Sequence, residues 1–82
     1  MIELKNIDLS GVSVVEQTGK VEEEFQEFKM SLAFESNENV IGEFWDVVQA
    51  VAGLAERFRE ITADELMAGY PRHLEKIKDR PR

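Results

Sequence analysis

The chain contains no cysteine. Neither a disulfide framework nor a thiolate zinc site can therefore hold it together. Proline occurs only twice, and only Pro71 falls inside a helical pattern. No apolar run approaches the ~18 residues that a membrane span requires. Met1-Ile2-Glu3-Leu4 lacks the basic-then-apolar layout of a signal peptide, so the expectation is a cytoplasmic protein with no membrane role.

What is present is short and charged. A chain of 82 residues with no evident linker is expected to form one domain over residues 1–82. Such a chain buries only about 60% of its unfolded surface. Its small core needs support from disulfides, metal or a partner subunit. With cysteine absent, carboxylate-bound metal and oligomerisation are what is left.

Charge is unevenly distributed. Residues 1–71 hold 15 acids and 5 bases, a balance of −10, whereas residues 72–82 hold 2 acids and 5 bases, a balance of +3. An acidic body repels a polyanion unless cations intervene, which argues against duplex nucleic acid as a partner. A nucleotide carried in with Mg²⁺ is compatible with that balance.

The pattern predicts an all-α fold. Residues 1–12 lack periodicity and read as an irregular lead-in. Ser13 and Glu16 match a capping box, S-x-x-E, and open a first helix over about 14–35. Val14, Thr18, Val21, Phe25, Phe28 and Leu32 recur along it at intervals of four and three, the spacing of a helical seam. Gly19 weakens that helix by about 1 kcal/mol relative to alanine. Residues 35–39 form a turn with cap candidates at Ser36 and Asn37.

A second helix over about 38–60 carries Val40, Phe44, Val47, Val51, Leu54 and Phe58 at the same spacing and should pair with the first as a hairpin. Ile41, Trp45, Val48, Ala52 and Ala55 fill a further apolar arc beside that seam, which calls for a second subunit or a third helix. Thr62 and Glu65 form another capping box, opening the C-terminal helices over about 62–79, which Gly69-Tyr70-Pro71 interrupts. The expected architecture is a small helical bundle, a hairpin plus one or two C-terminal helices, completed by oligomerisation.

Two acidic clusters carry the chemistry. Glu24 and Glu27 project as a pair one turn apart on the first helix, and Glu43 and Asp46 do the same on the second. Both pairs border the seam, so an antiparallel hairpin can aim them into one groove. Four carboxylates meeting there repel one another unless a cation intervenes. Mg²⁺ or Mn²⁺, which prefer oxygen ligands in octahedral array, would resolve that repulsion. Ala50 and Gly53 share the side of Asp46 and should leave room for a ligand above the metal.

Each of these features also has a plainer reading. Glutamate clusters on helices are commonly solvated faces, and Trp45 and Phe44 fit a core as readily as a stacking platform for a base. Lys20, one turn before Glu24, suits a helix salt bridge or an anion contact; His73 suits the surface or a phosphate contact. The basic tail, Arg72, Lys76, Lys78, Arg80 and Arg82, complements helix C-termini or steers phosphate.

At these residues the sequence resembles the MazG-like branch of the all-α NTP pyrophosphatase superfamily, whose signature is E-E-x-x-E, a spacer, then E-x-x-D. Lys20-Val21-Glu22-Glu23-Glu24-Phe25-Gln26-Glu27 reads as K-x-x-E-E-x-x-E, and Glu43-Phe44-Trp45-Asp46 follows after 15 residues. The resemblance covers residues 17 to about 60 and, more loosely, His73-Leu74-Glu75-Lys76. It implies that Glu24, Glu27, Glu43 and Asp46 bind Mg²⁺, with Glu23 as a further ligand or a water-orienting base. It also implies a site built in a homodimer or homotetramer; the residues themselves offer Lys20, Trp45, His73 and Lys76 as candidate substrate contacts. The implied reaction splits a nucleoside triphosphate into a monophosphate and pyrophosphate. The chain departs from the family in its shortness and in Gly19, and no residue is assigned to base recognition. The competing expectations are a non-catalytic helical oligomer with an acidic surface and an inactive nucleotide-binding relative.

Overall fold

The computed structural model describes residues 4–5 and 9–79. Arg80 and Arg82 of the basic tail, and most of residues 1–8, lie outside the described residues. Among the described residues four helices follow one another: α1 (Val14–Phe34), α2 (Asn37–Arg59), α3 (Ala63–Ala68) and α4 (Tyr70–Ile77).

Side-chain caps set three of the four helix starts. Ser13 accepts from the Glu16 amide at 3.0 Å while the Glu16 carboxylate accepts from the Ser13 amide at 3.2 Å, and Thr62 and Glu65 repeat this exchange ahead of α3. Ser36 caps α2 through the Asn39 amide at 3.3 Å. Each such cap typically contributes about 1 kcal/mol, because it satisfies amides that the helix itself leaves open. Glu60 ends α2 in the left-handed region, at φ 58°, a conformation that disfavours any residue with a Cβ. Gly69 and Pro71 separate α3 from α4; a proline in the first turn of α4 has no amide to leave unpaired.

α1 and α2 form the long antiparallel hairpin, whose seam keeps Val14, Thr18, Val21 and Phe28 of the expected row half-buried but departs from it at two positions. The expected apolar row has Phe25 and Leu32 facing α2, yet these are 48% and 60% exposed. The residues buried on α1 are Gln17 (6% exposed), Glu24 (8%) and Ser31 (0%), a heptad series of polar side chains. The helix is rotated so that this polar series faces α2, where Gln17 bonds the Ala50 carbonyl and fills the space over Gly53. Phe25 turns outward, where the Lys29 ammonium lies 5.1 Å from its ring centre.

The core is correspondingly thin. Ala50, Ala52 and Ala63 are the buried apolar residues among those described, while Phe34, Ile41, Val51, Phe58 and Leu74 stay exposed. A radius of gyration of 14.2 Å exceeds the roughly 12 Å of a compact chain of this length. α4 packs on α3 and on no other described helix. No described helix is long and apolar enough to cross a membrane.

Candidate metal centre and the adjoining cleft

Because the polar stripe of α1 forms the seam, Glu24 is placed between the helices. One carboxylate oxygen each from Glu24, Glu43 and Asp46 lie within 4.8 Å of one another, and the same holds for Glu23, Glu24 and Glu27. Glu24 belongs to both groups and joins the two acidic clusters. In an octahedral site with 2.1 Å bonds, opposite ligands stand about 4.2 Å apart. Small side-chain rotations would bring either group to that spacing.

Two members of the cluster, Glu27 and Glu43, show the electrostatics of crowding. Glu27 is pushed above the usual carboxylate range, chiefly by the charge of Glu24, then by desolvation and by Glu43 and Glu23. Desolvation pushes Glu43 up as well, followed by the charges of Asp46, Glu35 and Glu24. The Glu43 Oε2 atom is buried with no hydrogen-bond partner among the described residues. An orphaned carboxylate oxygen facing other carboxylates wants a cation. The donor set is all oxygen, which fits a hard divalent ion.

One cation is already present. The Lys20 Nζ atom lies 2.7 Å from a Glu24 carboxylate oxygen, and this contact holds the Lys20 ammonium above its ordinary pKa. About half of the Lys20 side chain faces solvent.

A cleft of about 340 Å³ adjoins the cluster, lined by Leu9, Gln17, Lys20, Glu24, Asp46, Gln49 and Ala50. Of the two small residues expected to leave room there, Ala50 lines the cleft. The space over Gly53 is filled instead: a Cβ at that position would meet Gln17 Nε2 at 2.9 Å and Leu9 at 3.3 Å. Gln17 donates from Nε2 to the Ala50 carbonyl at 3.0 Å, and Gln49 donates from Nε2 to the Lys5 carbonyl at 2.6 Å. Leu9 thus lines the cleft beside residues of the two helices.

Trp45 is not among the residues lining this cleft. It packs edge-on against Phe44 at 4.8 Å, which in turn meets Phe28 at 6.2 Å, an aromatic row tying α2 to α1. His73 and Lys76 line a separate hollow on α4 with Gly69, Arg72 and Glu75. Within one chain the fold brings Glu23, Glu24, Glu27, Glu43, Asp46 and Lys20 together and leaves His73 and Lys76 apart from them. Sequence reasoning missed Gln17 and Gln49. The usable signal was spacing: Gln17 stands one heptad before Glu24 and Gln49 one turn after Asp46.

No protein-family model, curated protein or solved structure matches this chain.

Proposed function

We propose that the protein is a cytoplasmic, divalent-cation-dependent nucleoside triphosphate pyrophosphohydrolase of the MazG-like kind. One observation carries the reading: Glu24, buried in the hairpin seam, has carboxylates from both helices within 4.8 Å. The orphaned Glu43 oxygen and the upward shifts of Glu27 and Glu43 give that crowding a purpose, because an apo cluster is under strain that a cation relieves.

Glu24, Glu27, Glu43 and Asp46 would hold Mg²⁺ or Mn²⁺. Bound there, the ion supplies charge neutralisation and polarisation of phosphoryl oxygens. Glu23 takes a proton from the attacking water, whose oxygen bonds to the α-phosphorus as the bond to the α–β bridging oxygen breaks. Pyrophosphate leaves with the electron pair. Lys20, fixed by Glu24 yet half in solvent, donates to phosphate oxygens.

His73 and Lys76 sit on α4, which packs on no described helix but α3, so a phosphate role for them calls for a second copy. The exposed Phe25, Ile41, Phe44 and Val51 offer apolar surface for such a homo-oligomer.

That same surface favours one alternative, a non-catalytic interaction module whose acids are only solvated. Assay of a nucleotide panel with Mg²⁺ separates the two. Hydrolysis predicts pyrophosphate release that chelation, Glu24→Gln or Asp46→Asn reduces at least about 100-fold. If no nucleotide yields pyrophosphate above the level of those variants, the enzyme reading is wrong. An inactive nucleotide-binding relative would bind without turnover.

A further inference from the structure

One side of α2 meets its own chain, where Ala50 and Gly53 face Gln17 of α1. Another side carries a second apolar row. Ile41, Phe44, Val48, Val51, Ala55 and Phe58 recur at intervals of three and four, so that 41, 48 and 55 form one heptad column and 44, 51 and 58 the other. Ile41, Phe44, Val51 and Phe58 are between 44% and 66% exposed, and Val48 and Ala55 are half-buried. Among the described helices only α1 and α3 pack on α2.

The row is complementary to its own reverse. Laid antiparallel against a copy of itself about a two-fold axis between Val48 and Val51, it sets Ile41 on Phe58, Phe44 on Ala55 and Val48 on Val51 of the second copy. The bulkiest side chain near the middle thus meets the smallest, and each contact occurs twice, as a two-fold interface requires. Charge selects the same direction. Glu38 stands in the first turn of α2 and Arg57 and Arg59 in its last. Glu38 and Arg59 are three heptads apart and border the row on one flank. Antiparallel pairing brings Glu38 beside Arg59 of the second copy, whereas parallel pairing sets like charge against like. The extent is also sufficient: α2 has 23 residues, about 35 Å, and the hairpin is two helices of about 10 Å wide, so its face offers roughly 700 Å². Each partner of a stable complex contributes about 800 Å².

We infer that a second copy of the chain covers this face, its α2 antiparallel to the first and centred between Val48 and Val51. The inference goes beyond the hydrolase reading by fixing the face and the register, and it does not depend on that reading. Asp46 and Ala50, which line the cleft beside the acidic cluster, lie on another side of α2, so the pairing leaves the cleft open.

The chain has no cysteine, so introduced thiols report the pairing without background. Ile41→Cys and Phe58→Cys are prepared separately, then oxidised with copper phenanthroline, each alone and after mixing under reducing conditions. In the inferred dimer like thiols stand about 25 Å apart along the helix, too far for a disulfide, while unlike thiols face one another. The mixture is expected to give at least about tenfold more disulfide-linked dimer than either variant alone. Val51→Glu sets two carboxylates beside the axis and is expected to weaken association at least about 100-fold in sedimentation equilibrium, with helical circular dichroism unchanged. If Val51→Glu fails to fold, the cross-linking carries the test. A wild-type chain that stays monomeric at about 100 µM overturns the inference, as does a mixture that cross-links no better than its components or an oligomer that folded Val51→Glu leaves intact. None of these outcomes touches the hydrolase reading, which falls instead if no nucleotide yields pyrophosphate.

Discussion

Lys20 and Glu24, one turn apart on α1, are joined by a 2.7 Å ion pair, and Glu24 is the acid that both carboxylate groups share. The most buried member of the cluster thus has a cationic partner on its own helix. Replacing Lys20 with Met should lower the melting temperature in chelator, since Glu24 then faces only like charges. The loss should shrink when Mg²⁺ is added, because the ion takes over the neutralising role. An equal loss with and without Mg²⁺ would mean that no ion reaches Glu24.

The acidic crowding sets a pH dependence whose sign is opposite to that of ordinary salt-bridged carboxylates. Glu27 and Glu43 hold their protons more tightly when folded than when unfolded, so the stability linked to them is fully present below the unfolded value of 4.5. It is lost as pH rises through their raised folded values. Melting temperature in chelator should therefore fall across that window, and Glu43→Gln should flatten the fall. Added Mg²⁺ should offset the loss at neutral pH, since it binds the ionised forms. A metal-free melting temperature that climbs through this range would show the cluster to be relaxed.

Three glycines predict opposite outcomes for one substitution. Gly19 and Gly42 lie in helix interiors with nothing within 4 Å of an added Cβ, so alanine at either should stabilise by about 1 kcal/mol through helix propensity. At Gly53 the same methyl meets Gln17 and Leu9, and Gly53→Ala should destabilise by roughly 1–3 kcal/mol. Urea melts of the three variants check the pattern, which fails if Gly53→Ala behaves like the other two.

Glu60 closes α2 at φ 58° with its amide donating to the Ala55 and Glu56 carbonyls. Glycine adopts this conformation freely, so Glu60→Gly should raise stability by about 1 kcal/mol. An unchanged or lowered unfolding midpoint would indicate that the glutamate side chain contributes more than its backbone costs.

The helices were legible because their signals are local. Ser13 with Glu16, Thr62 with Glu65, and Ser36 each cap a helix through atoms within three residues, and Gly69-Tyr70-Pro71 breaks the C-terminal stretch by its own backbone chemistry. The pairing of Glu24 with Glu27 and of Glu43 with Asp46 was legible for the same reason, as helical pitch fixes residues three apart. The seam was legible in part. Apolar periodicity pointed to Val21 and Phe28, which are half-buried, but also to Phe25 and Leu32, which are exposed, while the buried residues of α1 are Gln17, Glu24 and Ser31, with Gln17 donating to the Ala50 carbonyl.

Composition and spacing alone thus determined the helical class, the hairpin and the identity of the acids, since each depends on contacts within a turn or two of chain. Only the tertiary structure decided the rotation of α1 about its axis, and with it the burial of Glu24, the filling of Gly53 by Gln17 and the separation of His73 from the acidic cluster. Rotation is set by how closely two backbones can approach, a property of both helices together that neither sequence segment contains by itself.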